Sequence, residues 1–286
     1  MKLGGIEGGG TKFICAVGDE FGNIEKELII PTTTPEETLN KVIEFYKDNK
    51  VEKIGIGCFG PIDINKNSNC YGSILDTPKV GWSRFNIVEY LQKSLNISIV
   101  ITTDVNAAAL AEVKVGNSRD LNNILYLTVG TGIGVGVIID NKFINGVNHP
   151  EMGHIALRKH PKDNFKGNCC FHDDCFEGLA SGPAIEKRYN LKGENLHNND
   201  EVWDIIGYYI GQAIAIYTFI FSPKRIIIGG GVAHQQSLLP IIKKYFKMFN
   251  NNYINNRYIQ NIDSYIQFTS LNDRAGLIGS ILLTTI

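Results

Sequence analysis

The sequence predicts an α/β fold made from two copies of one β-meander-plus-α unit, with a cation-binding loop set into the second copy. Three observations carry this. Residues 2–30 and 124–144 open alike, each with a strand, a glycine-rich corner carrying a threonine (Thr11, Thr131), a strand, an acidic turn and a third strand. Helical and strand patterns then alternate in both halves. Residues 151–177, EMGHIALRKHPKDNFKGNCCFHDDCFE, gather soft metal donors in a loop rich in Gly, Asn and Asp. The expected division is residues 1–116, completed by a C-terminal helix at about 273–286, and residues 117–272, which carry the loop 154–175. Two such domains facing each other leave a cleft, where ligands usually bind.

In the first half, residues 2–7, 13–18 and 24–30 read as strands, joined at Gly8-Gly9-Gly10-Thr11-Lys12 and at residues 19–23. Thr34 then caps a helix with Pro35 in its first turn, and Leu39, Val42, Ile43 and Tyr46 supply its apolar stripe. Residues 53–59 return as a strand ending in Gly60-Pro61. A polar loop leads to a helix over 85–95 and a strand over 97–102. Asp104 follows, ahead of an alanine-rich helix over 105–115.

In the second half, residues 125–129, 135–139 and 143–144 are strands, with a corner at Gly130-Thr131-Gly132-Ile133-Gly134. Helices are expected over 182–189, 201–221 and 236–250, strands over 224–228 and 264–269, and a last helix to 283. The run VWDIIGYYIGQAIAIYTFIF (202–221) is long enough to span a bilayer. Asp204 and Gln212 interrupt it, so it reads as a helix through a protein core.

Cys169-x-x-His172-x-x-Cys175 places three soft donors at three-residue steps, and His154, fifteen residues upstream, can close a tetrahedron. Four N and S ligands suit a closed, structural zinc site. Cys170 is an alternative to Cys169, giving C-x-H-x-x-C; the equal steps favour Cys169. A Cys169–Cys175 disulfide is the competing reading. Glu151 and Glu177 stand three residues before His154 and two after Cys175. The ion therefore braces two carboxylates that face a polar substrate.

The chain's 286 residues, 43% of them hydrophobic, are enough for a full core. Lys and Arg total 28 against 29 Asp and Glu, so no global field draws in nucleic acid or an acidic membrane. Residues 1–5 run straight into a strand, with no signal peptide expected. The expected location is cytoplasmic, where cysteines serve as ligands or core residues rather than disulfides. Cys15 and Cys58 fall in apolar runs and read as core.

Glycine at a strand corner lets backbone N–H groups approach an anion. Neither corner matches G-x-G-x-x-G or the P-loop order. A single glycine hairpin is ordinarily just a tight turn. Two in equivalent places, with a third run at Gly229, Gly230 and Gly231, favour a nucleotide: phosphates on Gly9, Gly10, Thr11 and Lys12 and on Thr131 and Gly132, adenosine against the third. Asp104 reads as a helix cap or, given its place between the halves, as the base that takes a hydroxyl proton in phosphoryl transfer.

Together these residues resemble the ROK family of sugar kinases and repressors, and within it the bacterial fructokinases. The resemblance covers the whole chain. GIEGGGTK (5–12) and TVGTGIGVG (128–136) look like the phosphate motifs, and TDVNAAALAE (103–112) like the catalytic segment. HPEMGHI (149–155) and CCFHDDCFEGLASGPA (169–184) look like the sugar-and-zinc signature, and RIIIGGGV (225–232) like the adenosine segment. The resemblance implies the two-domain actin/hexokinase-like (ribonuclease H-like) fold. It implies ATP-dependent phosphorylation of D-fructose at the 6-hydroxyl, with Mg²⁺ accompanying ATP, a zinc ion, and a homodimer. It places sugar contacts at Asp104, Glu151, His154 and Glu177. Glu7 stands where the family more often has Asp, and Thr103 where glucokinase-like members have Asn, which disfavours glucose. Cys170 stands where Pro is usual. The rival readings are a kinase for another hexose such as mannose or glucose, a sugar-responsive repressor, and a sugar-binding protein without catalysis. A repressor needs a DNA-binding helix-turn-helix, which the few residues before the first corner do not supply.

Overall fold

A computed structural model describes residues 1–77 and 79–286. They form two compact units, one of residues 1–120, 136–150 and 270–286, the other of residues 121–135 and 151–269. Residues 136–150, expected with the second half, group with the first. In chain order the elements begin β1 (Leu3–Gly8), β2 (Lys12–Gly18), β3 (Ile24–Pro31), α1 (Pro35–Asp48), β4 (Lys53–Cys58), α2 (Ile87–Leu95), β5 (Ser98–Thr103) and α3 (Asp104–Lys114). They continue with β6 (Ile124–Val129), β7 (Ile133–Ile139), β8 (Lys142–Phe143), α4 (Phe176–Ala180), α5 (Gly182–Tyr189), α6 (Asp200–Phe221) and β9 (Arg225–Gly229). The last are α7 (Leu238–Asn250), α8 (Arg257–Gln260), α9 (Ile262–Tyr265), β10 (Ile266–Phe268) and α10 (Ala275–Leu282).

The duplication is explicit in the sheets. The first has the order β3-β2-β1-β4-β5 and the second β10-β9-β6-β7-β8. Replacing β1–β5 by β6–β10 in turn reproduces the same arrangement. In each, the first meander strand is central and the later strands lie parallel beside it. The meander of the first copy is long, with β2 and β3 paired from Lys12–Pro31 to Gly18–Ile24. That of the second ends in a two-residue β8. Asp140 and Asn141 turn the chain with φ of 50° and 62°, the left-handed pair that a tight hairpin requires and that Asp and Asn tolerate. The expected strand over 264–269 starts only at Ile266, because Asn261 caps a helical turn through Ser264 N–H at 3.4 Å.

In the first unit, α10 and α3 cross at contact distance. A Cβ on Gly279 would stand 1.7 Å from the Ala107 carbonyl oxygen, so only glycine permits the crossing. Ser280 Oγ accepts the Gly57 N–H at 3.0 Å and donates to Gly276 O at 2.7 Å, locking α10 onto β4. Asp104 thereby starts a helix clamped between α10 and the sheet.

The second unit is organised by α6. This helix is long and apolar enough to cross a membrane, yet 72% of its most apolar stretch is buried within the fold. The polar side chains that interrupt it have work to do. Tyr217 Oη donates to Met152 O at 2.6 Å. Gln212 exchanges bonds of 2.8 and 2.9 Å with the Arg158 backbone. Tyr209 Oη donates to buried Asp163 at 2.6 Å. Such buried polar groups need partners, and every one of these lies in residues 152–163. The apolar face makes the core, while Gln212, Tyr209 and Tyr217 fix the segment that begins the donor loop and Asp204 bonds Lys244 and Tyr245 of α7.

Candidate functional site

In the first unit β1, β4 and β5 end in register, with Gly8 opposite Cys58 and Cys58 opposite Thr103. This brings Glu7, the first glycine corner and Asp104 to the same edge. The corner is set by Gly9 N–H to Lys12 O at 2.9 Å and by Thr32, whose hydroxyl donates to Gly9 O at 2.8 Å. A Cβ on Gly9 would meet Lys12 O at 2.9 Å, so the turn itself requires that glycine. A Cβ on Gly10 would meet nothing within 4 Å among the described residues. Packing does not require glycine there, and its absent side chain leaves the backbone open to a ligand. Thr11 and Lys12 are exposed at the tip.

Asp104 is half-buried, and its Oδ1 accepts the Val105 N–H at 2.8 Å. Burial pushes its carboxyl up to about 6, against the pull of the backbone hydrogen bonds. Thr103 Oγ1 caps the helix on Asn106 N–H at 3.2 Å, so the cap that the sequence offered to Asp104 is filled by its neighbour. Glu7 is pushed up to about 7, first by burial and then by the charge of Asp104, with Lys12 opposing. Its Oε2 is buried and has no hydrogen-bond partner among the described residues. Glu7 was not among the expected site residues. Its signal was there to read, as a lone carboxylate in the otherwise neutral strand LGGIEG. Lys79 was also missed: its Nζ bonds Gly10 O, bringing a second cation to the corner. It lies in the polar loop, where no periodicity marks it.

In the second unit, His154, Cys169, His172 and Cys175 bring their ligand atoms within 4.8 Å of one another. Cys169 Sγ lies 3.7 Å from His154 Nδ1 and 3.8 Å from His172 Nδ1, and Cys175 Sγ lies 3.5 Å from His154 Nδ1. Donors on a tetrahedral zinc stand roughly 3.4–3.8 Å apart, a spacing these three pairs match, and the S₂N₂ chemistry suits that ion. Cys169 is the member of the set and its neighbour Cys170 is exposed. Paired bonds of 3.1 Å between Cys169 and Asp173 close the loop. Burial pushes the Cys175 thiol up to about 11; a bound cation would replace that proton.

The same loop reaches the second corner. Cys175 caps α4, which carries Glu177, and Glu177 Oε2 accepts the Ile133 N–H at 2.9 Å. A Cβ on Gly132 would come 2.8 Å from that oxygen. Gly182 N–H, at the start of α5, donates to Gly130 O at 2.7 Å. Thr131 is exposed between these ties. The third run is adjacent: a Cβ on Gly130 would lie 3.8 Å from Gly231 N. Gly230 has φ 81°, and a side chain there would strike Val129 O at 2.6 Å. Gly229 ends β9, and a Cβ on Gly231 meets nothing within 4 Å among the described residues. Glu151 is exposed, one turn before His154, whose N–H bonds Glu151 O at 3.1 Å.

The ROK family profile matches residues 3–285. The chain is 46% identical over 282 residues to a putative fructokinase of Bacillus subtilis (strain 168), covering 98% of this chain and 94% of that protein. It is 44% identical to a fructokinase of Pediococcus pentosaceus, covering 99% and 97%. Among solved structures it resembles a ROK hexokinase from Thermus thermophilus, with TM-score 0.77, 26% identity and coverage of 99% and 97%.

Proposed function

The chain belongs to the ROK family, and from that premise we propose that it is an ATP-dependent fructokinase, making fructose 6-phosphate. The observation that carries this is Asp104, a half-buried carboxylate at the sheet edge beside an open glycine corner, poised at about 6. The near-full-length likeness to fructokinases supplies the sugar.

MgATP is the second substrate. In the reaction, Asp104 accepts the proton of the fructose 6-hydroxyl as its oxygen attacks the γ-phosphorus. The bond to the β–γ bridging oxygen breaks and ADP leaves. Gly9, Gly10, Thr11 and Lys12 hold phosphate oxygens on the first unit. Thr131 and Gly132 do so on the second, with Gly229, Gly230 and Gly231 against adenosine. Glu151, His154 and Glu177 take sugar hydroxyls. His154, Cys169, His172 and Cys175 would hold a zinc ion, which would supply a fixed brace for that loop.

We place the enzyme in the cytoplasm: all six cysteines are free among the described residues, as suits a reducing compartment. We assign it a homodimer, supported by the exposed apolar side chains of Phe219, Ile220, Met248 and Tyr253 in the second unit. A coupled assay with ATP against fructose, mannose and glucose tests the reading. Fructose is expected to give the highest kcat/KM. Preference for another hexose, or ATP hydrolysis without sugar phosphate, would overturn it.

A further inference from the structure

Among the buried ionisable side chains of the first unit that the roles assigned so far leave unused is His149. We propose that His149 is a positioning residue for the sugar, tying the loop after β4 to the segment that carries Glu151; this rests on the sugar-kinase reading above.

His149 is 9% exposed. Its Nε2 accepts the Ile62 N–H at 3.1 Å, across 87 residues of sequence. The ring also bonds the Pro150 backbone. A ring nitrogen that accepts from an amide carries no proton, so the proton sits on Nδ1, which donates to the Pro150 carbonyl. Both contacts thus specify one neutral tautomer. Burial acts in the same direction, holding the imidazole below its ordinary range.

The loop it grips has a definite place. Phe59 N–H bonds Gly8 O at 2.8 Å, and β4 lies between β1 and β5. Residues 59–62 therefore leave the sheet between the first glycine corner and Asp104. Ile62 is fully buried and pairs with Ile74, and Leu75 N–H bonds Pro61 O at 2.8 Å. These contacts hold one side of the loop, and His149 holds the other. Pro150, with its fixed φ, follows the anchor, and Glu151 is the next residue in the chain. An apolar residue at 149 would leave the Ile62 N–H buried without an acceptor, and the loop would shift to find one.

Steady-state kinetics of His149→Leu and His149→Gln test this. The Gln side-chain oxygen reaches the place of Nε2 and can accept the same N–H. His149→Leu is expected to raise the fructose KM about tenfold or more, the loss of one buried hydrogen bond, with ATP KM and kcat changed less than about threefold. His149→Gln is expected to recover most of the fructose KM. Equal losses for both substrates, no recovery by Gln, or no change in either variant would overturn the assignment. Should His149→Leu not fold, the ¹⁵N shifts of the imidazole in the wild-type protein decide: the neutral Nδ1–H form at pH 7 supports the contact, and a charged ring refutes it. Failure of the underlying reading looks different, as wild-type protein that phosphorylates no hexose.

Discussion

The two glycine corners occupy equivalent places in equivalent sheets, yet their surroundings differ in kind. The first is ringed by two carboxyl groups that can gain or lose a proton, Asp104 near 6 and Glu7 near 7, with the side chains of Lys12 and Lys79 at the tip. The second is held by groups whose bonds are already made. Glu177 is on Ile133 N–H, Gly182 on Gly130 O, and behind them stands a four-donor cluster suited to zinc. On the proposed function, a duplicated fold would divide its work, one copy keeping the chemistry that changes protonation and the other the framework that orients substrate.

The largest effect that can break this contrast is at Asp104. Asp104→Asn is expected to lower kcat by about 10²- to 10⁴-fold, the usual contribution of a general base. A loss below about tenfold would remove the base from the first unit.

Metal removal probes the other side. Chelation, or Cys175→Ser, is expected to raise the fructose KM by about 10- to 100-fold, since a structural zinc contributes on the order of 10 kcal/mol to its own module. Metal analysis by mass spectrometry should find one zinc per chain beforehand. Complete loss of metal with unchanged fold and KM would end the proposed role of the loop.

A smaller loss should follow from Glu177→Ala, which leaves the Ile133 N–H without its charged acceptor. A fall of about tenfold in kcat/KM for ATP is expected, matching about 1.5 kcal/mol. The same variant should also raise the fructose KM through the sugar contact proposed for Glu177; if fructose alone were affected, the tie to the corner would carry no function.

The smallest effect sharpens the contrast through pH. kcat/KM should fall with acid through about 6, where Asp104 takes up a proton. Stability runs the opposite way. The Asp104 pKa is raised on folding from 3.8 to about 6, so its contribution is greatest below 3.8 and is lost as pH rises through about 6. Asp104→Asn should therefore melt higher than wild type at pH 8 and not at pH 3, by differential scanning calorimetry.

Much of this was legible in the chain itself. The repeated strand–corner–strand pattern specified the meander that opens each sheet, because alternation and glycine turns are local signals. The donor loop was legible because Cys and His at three-residue steps in a polar loop suit a metal far better than an apolar core. What was hidden depends on distant partners. The helix α4 is five residues long, and it is fixed by a cysteine cap rather than by periodicity. The bond between Glu177 and Ile133 spans 44 residues, and that between His149 and Ile62 spans 87. Gln212 and Asp204 looked like breaks in an apolar run, whereas Gln212, with Tyr209 and Tyr217, binds residues 152–163 and Asp204 binds Lys244 and Tyr245 of α7.

Calorimetric titration of fructose into the zinc-loaded Asp104→Asn protein tests the division of work most directly. If Asp104 acts in the chemical step and the braced loop holds the sugar, Kd stays within about threefold of the wild-type value while turnover collapses. A Kd weakened by about 100-fold or more would contradict the account, because the carboxylate would then be holding the sugar rather than taking its proton.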